Sequence, residues 1–84
     1  MDPLRRVALI CGITGQDGSY LARHLLQRGY RVIGTSRDAL VANRRNLIRL
    51  GIDDRIALES MSLNDFRSVL DVLSRHQPDE VYNL

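Results

Sequence analysis

The sequence predicts an α/β fold, a doubly wound parallel sheet with strand order 3-2-1-4 and helices between its strands. Three observations predict it. Short apolar runs such as Val7–Cys11 lack polar alternation, which is how strands buried on both faces read. Segments between these runs place apolar residues at helical spacing instead. The connections are short, and a β-α-β-α-β-α-β series joined in this way implies parallel pairing through right-handed crossovers.

The elements follow in order. Val7-Ala8-Leu9-Ile10-Cys11 is the first strand, ending at Gly12. From Ser19, residues Tyr20, Leu21, Leu25 and Leu26 recur at helical spacing, and Gly29 is a natural C-cap. Arg31 to Ser36 is a second strand. Asp38 to Leu50 reads as one helix, with Leu40, Val41, Leu47, Ile48 and Leu50 as its apolar positions and Gly51 stopping it. Arg55 to Leu58 is a short third strand. Asp65 is expected to cap a helix carrying Phe66, Val69, Leu70, Val72 and Leu73, which Pro78 keeps from extending. Glu80 to Leu84 begins a fourth strand. In the order 3-2-1-4 that strand would be an unprotected edge, so residues 1–84 are expected to be the N-terminal part of a longer domain, with no internal boundary.

Composition removes several classes of function. The chain has 84 residues, 44% hydrophobic and 26% charged, which excludes a disordered or collagen-like polypeptide. Aromatics are 5% with no Trp, too few for a base-stacking platform. All twelve cations are Arg and are scattered, with only Arg5-Arg6 and Arg44-Arg45 adjacent, so no nucleic-acid partner is expected. The uncharged stretch Val7–Gln16 falls short of the roughly 20 apolar residues that cross a bilayer. It also lacks a leader's cleavage pattern, and no membrane partner is expected. The single cysteine, Cys11, excludes an internal disulfide and fits a reducing cytoplasm. There is no Lys, so a lysine-dependent mechanism cannot be completed by these residues.

Gly12-Ile13-Thr14-Gly15-Gln16-Asp17-Gly18 lies between the first strand and the first helix, where a Rossmann dinucleotide-binding turn belongs. The three glycines have separable jobs. Gly12 lets the chain leave the strand in a tight turn, Gly15 clears a path for a pyrophosphate, and Gly18 brings the helix close to the sheet. The helix then aims free N–H groups and its positive dipole end at the same phosphates, and Thr14 can add a hydroxyl. A strand–helix turn that binds nothing could carry the same glycines. Position after the opening strand favours the nucleotide.

The residues after the second strand choose the cofactor. An NAD site would carry an acidic residue there for the ribose 2′-hydroxyl. Here Ser36 brings no charge to repel a 2′-phosphate and Arg37 offers a planar fork suited to one, which favours NADP. Asp38 could cap the second helix, pair with Arg37 or touch a ribose. Arg44 and Arg45 could reach the phosphate or form a solvated helix face.

The run from Gly12 to Ala22, with Leu25-Leu26, Gly29-Tyr30-Arg31-Val32 and Pro78 to Leu84 in register, resembles the GDP-mannose 4,6-dehydratases, a family of extended short-chain dehydrogenases/reductases. The resemblance implies an N-terminal Rossmann domain, bound NADP, a nucleotide-sugar substrate (GDP-mannose) and a homo-oligomer. It implies a lyase that makes GDP-4-keto-6-deoxymannose by a hydride cycle. An epimerase or 4-keto-sugar reductase of the same superfamily, or a non-catalytic NADP-binding module, is the alternative. By this likeness Gly12, Thr14, Gly15, Gln16, Asp17 and Gly18 match the family's pyrophosphate loop, and Arg37 its 2′-phosphate arginine.

Three positions depart from the family's pattern. Cys11 replaces a Thr, Asp38 stands where a second Arg is common, and Met61-Ser62 replaces a Gly-Asp pair whose carboxylate meets the adenine amine. Ser62 would have to substitute with its hydroxyl. The family also uses a Tyr-x-x-x-Lys pair, a Ser or Thr, and a Glu, and here no catalytic residue is expected. His24 and Gly34 stand four residues after Tyr20 and Tyr30, and Tyr82 has only two residues after it. Tyr20 and Tyr30 are read as packing residues and Tyr82 as part of a buried strand. Glu59 and Glu80, the only glutamates, do not match the catalytic position. His24 and His76 lack metal-ligand spacing and are expected at exposed helix positions, with no metal site.

Overall fold

The computed structural model describes residues 5–84. Four parallel strands, β1 (Val7–Cys11), β2 (Arg31–Ser36), β3 (Ala57–Ser60) and β4 (Glu80–Asn83), form one sheet in the order β3-β2-β1-β4. The predicted order and parallel pairing are both present. Helices α1 (Gln16–Gln27), α2 (Arg45–Arg49) and α3 (Phe66–His76) connect the strands.

Alternation along the central strands divides the core. Ala8, Ile10 and Val32 face one side, where Ala22, Leu25 and Leu26 of α1 and Leu47 of α2 bury them. Leu9, Cys11 and Ile33 face the other, beneath Val72 of α3. Because β1 and β2 are covered on both faces, they could be written in apolar residues throughout. Each fully buried Leu, Ile or Val contributes about 1.5–3 kcal/mol, which fixes the register of the central pair. Cys11 lies opposite Thr35 there, so β2 runs one residue past the end of β1, to Ser36. The outer strands β3 and β4 are only partly covered.

Three elements differ from their sequence prediction. The helix predicted over Asp38–Leu50 is confined to Arg45–Arg49. The Asp38 carboxylate accepts from Leu40 N–H at 3.0 Å, and the Asn43 side chain from Arg45 N–H at 3.0 Å. Such local bonds hold the backbone in turns instead of a helical ladder. Leu40 and Val41 are consequently 95% and 78% exposed. The third strand begins at Ala57, two residues late, because Asp53–Arg55 forms a 3-10 turn that tucks Ile52 and Ile56 into the core. Helix α1 begins at Gln16, before the apolar spacing starts. Its first turn buries Gly18 and Ser19, which carry no apolar side chain, so periodicity did not reveal it.

Helix α3 follows the prediction. Asp65 caps it by accepting from Arg67 N–H at 3.1 Å. Its C-cap Gln77 takes a left-handed conformation, φ 47°, just before Pro78.

Candidate functional site

The turn from β1 to α1 is built by its glycines. Gly12 has φ +78°, a conformation that disfavours any side chain, and it redirects the chain over the end of the sheet. Its amide and that of Ile13 both donate to Thr35 O, at 3.1 and 3.3 Å, so the turn is pinned to β2. Gly15 is the N-cap of α1, and its carbonyl accepts from Ser19 N–H at 3.0 Å. The amides of Gln16, Asp17 and Gly18 precede the first intrahelical bond and remain free to meet an anion. Asp17 places its carboxylate in the first turn, where the helix dipole favours it.

Gly18 supports the turn from inside the helix. A Cβ there would stand 2.7 Å from Gly12 O and 2.8 Å from Ile13 Cα. The close approach predicted for Gly18 is therefore to the turn's own backbone and not to the sheet. By contrast, a Cβ on Gly15 would meet only Gly12 O at an ordinary 3.5 Å. Its missing side chain leaves space on the outer side of the turn.

Two adjoining cavities lie at the carboxyl ends of the strands, where open α/β sheets bind ligands. One, about 300 Å³, is bordered by Gly12 and by Gly15, Gln16, Asp17 and Gly18. The other, about 350 Å³, reaches across Ser36 and Arg37 to Ser62 and Asn64. Gly12 and Leu84 border both. Eight of the nine predicted binding residues thus line one continuous groove. The exception is Thr14, whose carbonyl is held by Asn46 Nδ2 at 3.0 Å and which borders neither cavity.

Ser36 borders the larger cavity, and its hydroxyl is buried with no hydrogen-bond partner among the described residues. A buried hydroxyl left unpaired costs free energy, so it marks a place prepared for a polar group. Arg37 is exposed beside it and makes no ion pair among the described residues. Asp38 spends one carboxylate oxygen on the Leu40 amide, capping a turn instead of the expected helix. Arg44 turns away as well, since its guanidinium pairs with the Asp53 side chain and also donates to Asp53 O at 3.2 Å. Arg45 is exposed and borders neither cavity.

Other polar clusters lie outside the groove. The Glu80 carboxylate accepts from Tyr82 Oη at 2.7 Å and Tyr30 Oη at 3.0 Å, with Arg6 Nε at 3.3 Å. Tyr82's hydroxyl foremost holds Glu80 below the usual carboxylate range. Glu80 in turn pushes the Tyr82 phenol up, the opposite of what a catalytic base needs. Tyr82 is half-buried on an outer strand and not enclosed, while Tyr20 is exposed with the Arg23 guanidinium 5.2 Å from its ring centroid. Tyr30 does pack against the core. His24 is exposed as expected, but the His76 side chain is only 10% exposed, with Nε2 2.6 Å from Glu59 Oε2. Among the described residues no cluster of His, Cys, Asp and Glu is suited to a metal.

Sequence reasoning missed Ile13, Gly34, Asn46 and Asn64. Ile13 is fully buried within the glycine turn, and it fits only because Gly34 on β2 has no side chain. An isolated glycine inside a strand signals such an approach, so Gly34 was findable. Nothing in the pattern marked Asn46 or Asn64.

A family model described as GDP-mannose 4,6 dehydratase matches residues 9–84, which include the glycine turn, Arg37 and Ser62. The chain belongs to that family. GDP-mannose 4,6-dehydratase of Vibrio cholerae serotype O1 is 44% identical over 85 residues, covering 95% of this chain and 23% of that protein. The Homo sapiens GDP-mannose 4,6 dehydratase is 40% identical over 86 residues, again 95% of this chain and 23% of the relative. The chain therefore spans less than a quarter of the length of these GDP-mannose 4,6-dehydratases. Among solved structures, the Bordetella bronchiseptica enzyme WbmH in complex with NAD+ superposes with TM-score 0.75 at 30% identity, over 95% of this chain and 26% of that one. UDP-glucose 4-epimerase from Thermotoga maritima, solved with UDP-glucose, gives TM-score 0.74 at 26% identity, over 93% and 23%. Among the described residues no helix is long and apolar enough to cross a membrane.

Proposed function

We propose that this chain is the NADP-binding N-terminal part of a GDP-mannose 4,6-dehydratase, a lyase that converts GDP-mannose to GDP-4-keto-6-deoxymannose. The observation that carries the reading is the buried Ser36 hydroxyl, which has no partner among the described residues, on a residue that borders the same cavity as the exposed Arg37. Free amides at Gln16, Asp17 and Gly18 suit a diphosphate, and a serine beside an arginine suits a ribose that bears a phosphate. Family membership supports the substrate. A reducing compartment, the cytoplasm, is supported by the buried free thiol of Cys11.

Gly12, Gly15, Gln16, Asp17 and Gly18 would hold the pyrophosphate, and Ser36 and Arg37 the phosphorylated ribose. When bound, the cofactor supplies reversible hydride transfer. These residues bind and orient it. They do not perform the acid–base steps, since the chain has no Lys and its tyrosines serve other contacts.

Titrating the protein with NADPH and NADH tests the reading. Arg37→Ala is expected to weaken NADPH by roughly tenfold or more, the scale of a lost charge-assisted pair, while NADH changes little. Equal losses for both would refute the assigned role of Arg37.

A further inference from the structure

The groove is charged at one end and neutral at the other. Arg37 is the only charged residue that borders the larger cavity, and no carboxylate does among the described residues. Its β3 side is closed by Ser62 and Asn64. The Ser62 backbone is committed to the loop, since its N–H donates to Ser68 Oγ at 2.9 Å and its carbonyl accepts from Asp65 N–H at 3.0 Å, and its short hydroxyl offers a single atom where a carboxamide offers a donor and an acceptor side by side. Asn64 is exposed, and its carboxamide makes no hydrogen bond among the described residues.

Strand order places these residues. β1, β2 and β3 lie side by side; the glycine turn follows β1 and Arg37 follows β2. Diphosphate, ribose and base are joined in the same sequence in a dinucleotide, so the base would fall at the loop after β3. Asn83, the other amide bordering the cavity, is the last residue of β4, on the opposite side of β1.

Resting on the dinucleotide reading above, we propose that Asn64 reads the purine edge and accepts a 6-oxo purine as readily as a 6-amino one. Adenine presents a donor at its 6-amino group beside the acceptor N1. Hypoxanthine presents an acceptor at O6 beside the donor N1–H. A carboxylate only accepts, so it takes a single bond from either base, from the 6-amino group of adenine or from N1–H of hypoxanthine. A carboxamide carries one acceptor and one donor group, and a half-turn about its last bond matches either.

Fluorescence titration of the full-length protein with NADPH and with reduced nicotinamide hypoxanthine dinucleotide phosphate tests this. The two dissociation constants are expected to agree within about threefold, well under the tenfold scale of one good base contact. Asn64→Asp leaves only acceptors, so one of the two bonds is lost with either base, and both forms are expected to weaken by roughly tenfold with their ratio unchanged. Asn64→Ala is expected to weaken both forms alike; circular dichroism establishes that each variant is folded. A tenfold preference for adenine in the unmodified protein, or unchanged affinities in Asn64→Asp and Asn64→Ala, would overturn the role of Asn64 and leave NADP binding intact. Failure of NADPH itself to bind would instead overturn the dinucleotide reading.

Discussion

Gly18, inside the first turn of α1, lies so close to Gly12 that a Cβ added to it would stand 2.7 Å from the Gly12 carbonyl oxygen. The obstacle is backbone on both sides, so neither partner can swing away. Gly18→Ala is expected to lose about 1–3 kcal/mol of stability through overpacking. Gly15→Ala meets nothing closer than 3.5 Å and should leave stability nearly unchanged while weakening NADPH binding at least tenfold. Urea unfolding and NADPH titration of the two variants separate support of the turn from clearance for the ligand. A folded, fully stable Gly18→Ala would contradict the first assignment.

The pairing of Ile13 with Gly34 makes a second, coupled expectation. A Cβ on Gly34 would collide with the Ile13 side chain, which is fully buried. Gly34→Ala alone should therefore cost about 1–3 kcal/mol, and Ile13→Ala alone about 2–5 kcal/mol from the cavity it leaves. In the double variant the new methyl occupies part of the vacated space. Its total loss should fall short of the sum of the singles by at least about 1 kcal/mol in a double-mutant cycle. Strict additivity would mean that the strand relaxes instead.

How far the sequence exposed this architecture follows from where side chains carry the information. The strand order and the glycine turn were legible because central strands covered on both faces need apolar runs, and because tight backbone approach needs glycine. The loop from Arg37 to Arg44 was not. Leu40 and Val41 imitate a helical face, but Asp38 and Asn43 bind nearby amides and divert the backbone. The partner of Arg44, Asp53, lies nine residues on, beyond the reach of any helical periodicity. His76 was misplaced for a similar reason: its partner Glu59 sits on β3, and only the fold brings them together.

That last cluster sets a pH dependence. Hydrogen bonds from Arg75 foremost, and then from His76, hold the Glu59 carboxyl below the usual carboxylate range, while Asp71 shares Arg75. A carboxylate depressed in the folded state contributes stability above its unfolded pKa and loses it as pH falls through the folded one. The melting temperature should thus decline on acidification below the ordinary carboxyl pKa of 4.5. Glu59→Gln should be less stable at neutral pH and show a flatter acid limb. Parallel acid limbs in both proteins would remove Glu59 from the account.

Ser36 supplies the sharpest test, because its two roles act in opposite directions. Its hydroxyl is buried without a partner among the described residues, which destabilises the fold. Removing it should leave the free protein as stable as before, or more stable by up to about 1–2 kcal/mol. The same removal takes away a hydrogen bond from the ribose end of the groove, so NADPH affinity should fall by roughly three- to tenfold. Ser36→Ala is then expected to melt no lower without ligand and to gain less on adding NADPH, since ligand stabilisation scales with the logarithm of concentration over dissociation constant. Thermal unfolding with and without NADPH reads both signs in one experiment. A variant that loses stability in the free state would show that Ser36 serves the fold, and an undiminished ligand shift would show that the hydroxyl does not face the dinucleotide.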